Sequence, residues 1–266
     1  LKSIEKRMAD GGPHANGEEQ EILAQYSGWG GLSDAFEPNK DSWHSEYTEL
    51  KSLLTEEEYA AARSSTLTAF YTPPEVIDAM YTTLRKMGVG AGTILEPSMG
   101  AGAFFGQSHS YLYEPTTRLF GVELDSLTGR IARQLYQKAN IQITGFEKAD
   151  LPDSFFDVVI GNVPFGDYSV VDPQYNRLHF KIHDYFFAKS IDKLRTGGII
   201  AFITTSGTLD KKSEEVRKYI NARCDFIGAV RLPDSTFKSA GTKAMADIIF
   251  LQKRDRILEQ DASWLH

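Results

Sequence analysis

The sequence predicts an α/β protein: a doubly wound, mostly parallel sheet with an antiparallel last strand, preceded by a helical N-terminal extension. Three observations carry this expectation. From residue 66 onward, short apolar runs alternate with helical stretches, the pattern of parallel strands joined by covering helices. The first run ends in a glycine-containing turn, as at the ligand-binding edge of an open sheet. The last two runs are joined by a loop without an obvious helix, which suits antiparallel pairing.

Taken in order, residues 9–17 read as a flexible loop rich in Gly, Pro and Asn. Residues 18–27 read as a short helix that Gly28-Trp29-Gly30-Gly31 breaks. Thr55 followed by Glu58 forms a capping-box pattern and opens a helix through about Arg63. Residues 1–65 are therefore assigned to the extension. Pro73-Pro74 starts a helix running to about Met87. Strands are expected at 93–96, 118–123, 141–146, 156–160, 198–204, 225–231 and 246–252, with helices at about 126–139, 182–194 and 211–222. This assigns 66–253 to the α/β domain and 254–266 to a C-terminal tail.

Composition bounds the possibilities. Hydrophobic residues make up 41% and charged residues 24% of 266, an ordinary globular balance. The one cysteine, Cys224, excludes a disulfide within the chain and a cysteine-based zinc site built from this chain alone, and suits a reducing cytoplasm. No apolar run approaches the roughly 20 residues that span a bilayer, so no membrane partner is expected. The chain opens on Leu1 without a charged-then-apolar leader, which suggests a piece of a longer protein. A formal charge of -7 points away from a chain that grips nucleic acid by its own net charge.

Four motifs carry chemistry. The first is Glu96-Pro97-Ser98-Met99-Gly100-Ala101-Gly102. A buried strand ends in an acid and a turn whose glycines let a ligand approach the backbone. The spacing Gly100, Gly102, Gly106 is not the dinucleotide fingerprint, whose third glycine falls one residue earlier. Alone, this also fits a strand-to-helix turn with no ligand. The second is Glu123-Leu124-Asp125 at the end of the next strand, where an acid can accept from both hydroxyls of an adenosine ribose. Alone, it also fits a solvated strand end. The third is Asp150-Leu151, a carboxylate for an adenine amine with an apolar side chain against the ring; a helix-capping role fits equally well.

The fourth is Asn162-Val163-Pro164-Phe165, delivered to the sheet's carboxyl edge by a buried strand. The amine of adenine is a poor nucleophile because its lone pair is delocalised into the ring. The Asn162 side-chain carbonyl and the Val163 main-chain carbonyl can each accept one N–H, favouring tetrahedral nitrogen and stabilising the charge that develops on alkylation. Phe165 would stack on the base. The plainer alternative is a strand-ending turn with a packed Phe.

Together these residues resemble the adenine-specific DNA methyltransferase family, over about residues 66–253. The resemblance implies a Rossmann-like fold, S-adenosylmethionine as cofactor, and DNA as partner, with the target adenine flipped out or single-stranded. It places Phe70, Tyr71 and Thr72 at the methionine half of the cofactor, Glu96, Pro97, Ser98, Gly100 and Gly102 in the cofactor loop, Glu123 and Leu124 at the ribose, and Asp150 and Leu151 at the adenine. Asn162, Pro164 and Phe165 match the family's Asn-Pro-Pro-aromatic motif, with Val163 departing from the usual proline. Tyr168 and Phe237 are further candidates for contact with the substrate base. Direct transfer from the sulfonium needs no metal and no covalent intermediate, and Cys224 lies far from any Pro-Cys motif of a cysteine nucleophile. His183 reads as a helix-packing residue rather than a metal ligand.

The segment Gln25–Leu32 resembles one that precedes the methylase region of large methylase–helicase proteins of phages and mobile elements, and no chemistry attaches to it. Only a short tail follows the last strand, so a target-recognition or helicase domain is expected elsewhere in a longer polypeptide or on a partner. Three alternatives stand beside adenine methylation. The same motif serves enzymes acting on RNA guanine amines or a protein glutamine amide. A degenerate domain could bind cofactor or DNA without turnover. A nicotinamide dehydrogenase would need a different glycine spacing.

Overall fold

The computed structural model describes residues 1–66, 72–112, 116–237, 245–259 and 262–265. Seven strands form one sheet: β1 (Thr93–Glu96), β2 (Arg118–Glu123), β3 (Asn140–Ile143), β4 (Phe156–Asn162), β5 (Leu194–Thr205), β6 (Cys224–Arg231) and β7 (Ala246–Lys253), in the order β3-β2-β1-β4-β5-β7-β6. β3 through β5 run parallel, and β7 pairs antiparallel with both β5 and β6, in keeping with the antiparallel last strand that the sequence predicts. The strand order reverses between β1 and β4. Helices leave the sheet on opposite faces there, and their loops part to open a crevice at the strands' carboxyl ends.

The two faces are buried by alternation along the strands. In β5, Ile200 and Phe202 join the cluster under α8 (Ile182–Lys193) and α10 (Glu215–Arg223), where Phe187, Ile191 and Val216 are buried. Ile199, Ala201 and Ile203 face the opposite cluster, with Ile77, Met80, Tyr81 and Leu84 of α5 (Pro74–Lys86) and Phe104 of α6 (Ala103–Tyr111). Each such side chain contributes about 1.5–3 kcal/mol by leaving water. A four-residue helix, α9 (Gly207–Asp210), follows β5.

Several boundaries differ from the sequence expectation. β3 stops at Ile143, and Phe146–Lys148 turns as a 3-10 segment after Gly145. Residue 146 is apolar and so lengthens the run without belonging to the strand. α7 (Ser126–Leu135) ends four residues early because Tyr136 leaves helical geometry. α10 opens at Glu215 rather than near 211, since residues 211–214 form a bend after α9.

The N-terminal residues form α1 (Lys2–Ala9), α2 (Gly17–Leu23), α3 (His44–Leu53) and α4 (Glu56–Ser65). Thr55 and Glu58 make the reciprocal capping bonds that the sequence pattern predicts. These helices pack on α7: Ile4, Ala15 and Leu23 bury against Leu127 and Ile131. Arg130 of α7 bonds both Glu5 and Glu58, and Lys2 adds a third cationic contact. Despite burial, these donors hold the Glu58 carboxyl down at about 2. The latch joins the extension to the sheet's second crossover helix, beside the crevice.

Candidate active site at the switch point

A cavity of about 380 Å³ occupies the crevice. Its floor is the turn after β1. Gly100 and Gly102 take positive φ, +55° and +89°, which lets the chain bend from β1 into α6 without a Cβ penalty. Gly102 stands behind the wall rather than on it: its N–H bonds Met99, and its carbonyl accepts from the Tyr136 hydroxyl at 2.7 Å. A Cβ at residue 102 would lie 2.4 Å from the Tyr136 ring. Pro97, Ser98 and Gly100 line the cavity, and Ser98 Oγ donates to the Asn162 main-chain carbonyl at 2.9 Å, pinning the β1 turn to the end of β4.

Two carboxyls meet here. Glu96 is buried, with Oε2 lacking any partner; burial and the neighbouring Glu123 charge push its carboxyl well above the ordinary range. Glu123 accepts from the Gly100 N–H at 2.8 Å and the Asp125 N–H at 2.7 Å. Burial outweighs these bonds and raises it to about 7. Leu124 projects at the cavity with 76% of its surface exposed, unusual for a leucine and consistent with an unfilled apolar contact.

At β4, the Asn162 side-chain N–H donates to Thr72 Oγ1 at 3.2 Å, while Oδ1 is buried and has no partner. Val163 is buried and its N–H bonds the Ile203 carbonyl at 3.0 Å, continuing the β4–β5 ladder. Pro164 and Phe165 line the cavity; Phe165 is half-buried and packs against both core clusters. Tyr168 also lines it, with its ring over Gly166.

Some expected residues are not brought here. Asp150 is exposed, with its main-chain N–H and carbonyl bound by the Gln142 amide, and Leu151 lies in the core. The third strand instead contributes Thr144, Gly145, Phe146 and Glu147 to the cavity, because β3 ends early and the 3-10 turn swings inward. Phe237 is also displaced from its expected role: it is 3% exposed and packs with Leu232, Ala246 and Phe250 in the core. Phe70 and Tyr71 lie outside the described residues. Cys224 is fully buried at the start of β6, and burial raises its thiol to about 12, leaving it without nucleophilic thiolate.

The remaining wall comes from the extension: Tyr26, Ser27 and Gly28, with Ala61, Ser64 and Ser65 of α4. No local signal marks them, since their place depends on how the extension docks.

The residues present fit S-adenosylmethionine. Glu96 offers a buried carboxyl oxygen without a partner, suited to a cationic group. Glu123 presents two oxygens suited to a diol, and Leu124 and Phe146 offer apolar surface to a flat ring. Asn162, whose oxygen is buried without a partner, lines the same cavity.

Comparison with known proteins identifies the family and the fold. The family described as "N-6 DNA Methylase" matches residues 53–265. "Defense against restriction protein B" of Escherichia phage P1 is 25% identical over 255 residues, covering 94% of this chain and 10% of that protein. Among solved structures, the modification subunit of a putative type I restriction enzyme from Vibrio vulnificus superposes with a TM-score of 0.59 at 20% identity, covering 79% of this chain and 49% of that one. A putative class I S-adenosylmethionine-dependent methyltransferase from Listeria monocytogenes gives a TM-score of 0.59 at 18% identity, covering 87% and 80%. The chain thus spans about a tenth of the phage relative and about half of the Vibrio subunit.

Proposed function

The chain belongs to the N-6 DNA methylase family, and from that premise we propose that it transfers a methyl group from S-adenosylmethionine to the exocyclic amine (N6) of adenine in DNA. The observation that carries this reading is the Asn162 amide. Its N–H side is tied to Thr72 and its carbonyl oxygen is buried without a partner, on a residue that lines the cavity holding Glu96 and Glu123.

Bound S-adenosylmethionine supplies an electrophilic methyl on a positively charged sulfur. The chain's own residues supply orientation and hydrogen bonding. Glu123 holds the ribose and Glu96 the cationic amino-acid end. Asn162 Oδ1 and the Val163 carbonyl accept the two N–H bonds of the adenine amine, which draws its lone pair out of conjugation and toward the methyl. Phe165 and Tyr168 pack on the base, which must be flipped out or already single-stranded to reach the slot. A base buried among apolar rings and two acceptors loses the water that would compete for the same bonds.

Valine in place of the motif's proline favours the non-catalytic alternative only if the turn has loosened. The Val163 N–H bond to Ile203, which proline cannot make, restrains the turn by the sheet ladder instead of by a ring. This supports turnover.

DNA grip and sequence reading are assigned to another domain or partner. Residues 1–66 hold thirteen Asp and Glu against six Lys and Arg, so they carry the chain's whole net charge of -7 and leave the rest neutral. An acidic extension beside the cavity repels phosphates, and the rest offers no compensating excess of positive charge. The type I modification subunit among the structural relatives is one part of a restriction enzyme by its own description, and we assign this chain a comparable role as the transferring part of a larger assembly, with residues 66–253 as the transfer domain. Among the described residues no helix is long and apolar enough to cross a membrane; a cytoplasmic location follows from the DNA substrate.

Incubation with methyl-labelled S-adenosylmethionine and separate pools of DNA, RNA and protein tests the reading. Label in adenine of DNA, lost with Asn162→Ala, is the expected result. Label confined to RNA or protein would overturn the substrate, and equal label with Asn162→Ala would overturn the site.

A further inference from the structure

The segment around Tyr26 sits where a ligand wall should be. Tyr26, Ser27 and Gly28 line the same cavity as Glu123 and Asn162, although they lie some hundred residues away in sequence. The Tyr26 hydroxyl is 2.8 Å from Thr128 Oγ1. The Thr128 hydroxyl has one proton, and it goes to Asp125 Oδ2. The Tyr26 hydroxyl is therefore the donor to Thr128, and the two bonds form a chain running from the extension to Asp125.

That chain ends on an unusual group. Asp125 is 8% exposed, lines the cavity, and has its second oxygen, Oδ1, buried without a partner. Its own N–H donates to Glu123 Oε1. Asp125 thus joins the ribose-side acid to Tyr26, and Oδ1 is the atom left for a ligand donor. The Tyr26 ring is fixed from behind: it meets Trp29 edge-on at 5.8 Å, Trp29 meets Phe36 at 5.5 Å, and the Gly31 N–H bonds the Thr66 carbonyl. Burial raises the Tyr26 phenol above its ordinary value, so it remains a proton donor at any working pH.

We propose that residues 26–28 of the extension are part of the cofactor site, and that Tyr26 is a positioning residue that orients Thr128 and Asp125 so that Asp125 Oδ1 faces the nucleoside half of the cofactor. The inference rests on the cofactor reading given above and adds to it a wall supplied from outside the sheet. By linkage, a cofactor held in part by the extension holds the extension in return.

The test is calorimetric titration of the full chain with S-adenosylhomocysteine and with adenosine, alongside steady-state methyl transfer and ligand-free melting. Tyr26→Phe keeps the ring and removes the donor. Its affinity for both ligands should fall about fivefold to tenfold, the effect of one lost hydrogen bond in a buried chain. The loss should appear in KM for S-adenosylmethionine rather than in kcat, with ligand-free melting lowered by no more than the few degrees that one hydrogen bond accounts for. Thr128→Val should give a similar loss, and the double variant little more, because both cut one chain. Amide exchange in residues 18–32 should slow on ligand binding in the wild type and slow less in Tyr26→Phe. Wild-type affinity in Tyr26→Phe, additive losses in the double variant, or a fall in ligand-free melting that accounts for the weaker binding would overturn the inference. Failure of the wild type to bind S-adenosylhomocysteine would instead remove the cofactor reading on which it rests.

Discussion

The Asn162 side-chain N–H donates to the Thr72 hydroxyl at 3.2 Å, while the carbonyl end of the same amide is buried without a partner. An amide has one donor end and one acceptor end. Tying the donor end to Thr72 leaves Oδ1 as a buried acceptor without a partner, a state that costs about 1–3 kcal/mol and that, in the proposed reaction, a substrate N–H would relieve. Thr72, which resembles a cofactor-cradle residue in sequence, accepts here from the Asn162 amide. Thr72→Val keeps the side chain's shape and frees the amide to rotate. It should lower kcat by about tenfold, in line with roughly 1–1.5 kcal/mol for the lost bond. Asn162→Ala should abolish turnover while cofactor affinity stays nearly unchanged. Calorimetry paired with single-turnover kinetics separates the two effects, and a large loss of cofactor binding in Asn162→Ala would count against the assigned role.

Cofactor affinity should depend on pH through Glu123. Burial raises its carboxyl to about 7, yet it must be ionised to accept from both ribose hydroxyls. Below pH 7 the ionised fraction falls, and affinity should fall with it by up to about tenfold per pH unit. Glu123→Gln should bind weakly and lose this pH dependence. The ligand-free protein should show the opposite trend in stability. A carboxyl whose folded value lies above its unfolded 4.5 contributes stability that is complete below 4.5 and lost as pH rises through about 7. Glu96, also raised, contributes with the same sign. Urea melts at pH 5 and pH 8, with and without S-adenosylhomocysteine, measure both trends; equal affinity at pH 6 and pH 8 would remove Glu123 from the ribose.

Much of this was legible in the chain because strands and turns have local causes. Apolar runs ending in Glu96, in Glu123 and just before Asn162 mark three strands, the last of which runs on to Asn162 itself, and the Thr55–Glu58 capping box marks a helix start. What was not legible depends on tertiary packing or on one ambiguous residue. Phe146 extends the apolar run after Ile143, so the strand reads too long, and the acid sought after it falls on Asp150, which is exposed and does not line the cavity. An aromatic before the last strand reads the same whether it meets a base or the core, and Phe237 meets the core. The Tyr26–Thr128 bond spans 102 positions and leaves no trace in local pattern.

The early end of β3 places Glu147, and not Asp150, at the cavity. Glu147 lines the cavity and lies over Gly145, whereas Asp150 is exposed and engages Gln142 through its backbone. Glu147→Ala should weaken binding of S-adenosylhomocysteine and of adenosine severalfold, the scale of one charge-assisted hydrogen bond. Asp150→Ala should leave both within about twofold, the effect of an exposed side chain. The reverse ranking in calorimetry would restore the sequence-based assignment.

Phe165 should matter to the base more than to the cofactor. It lines the cavity and is only half-buried, so one face remains for a stacking partner. Phe165→Ala should raise KM for DNA and lower kcat with little change in cofactor affinity, since base stacking on an aromatic contributes about 1–3 kcal/mol. Phe165→Tyr should retain most activity. Because the ring also touches both core clusters, the Ala variant's melting temperature must be measured beside its kinetics. A cofactor defect larger than the DNA defect would move Phe165 out of the substrate slot.

Val163→Pro separates two explanations of the motif's departure from proline. If valine is a loosened remnant, restoring the ring should stiffen the turn and speed transfer. The Val163 N–H, however, bonds the Ile203 carbonyl within the β4–β5 ladder, and Val163 is 1% exposed. Proline removes that donor and leaves a buried carbonyl without its partner, at a cost of about 1–3 kcal/mol. The substitution should therefore lower urea-unfolding stability by that amount without raising kcat. A Val163→Pro protein as stable as the wild type and faster would show that the ladder bond contributes little, and that the turn had relied on a ring the chain has lost.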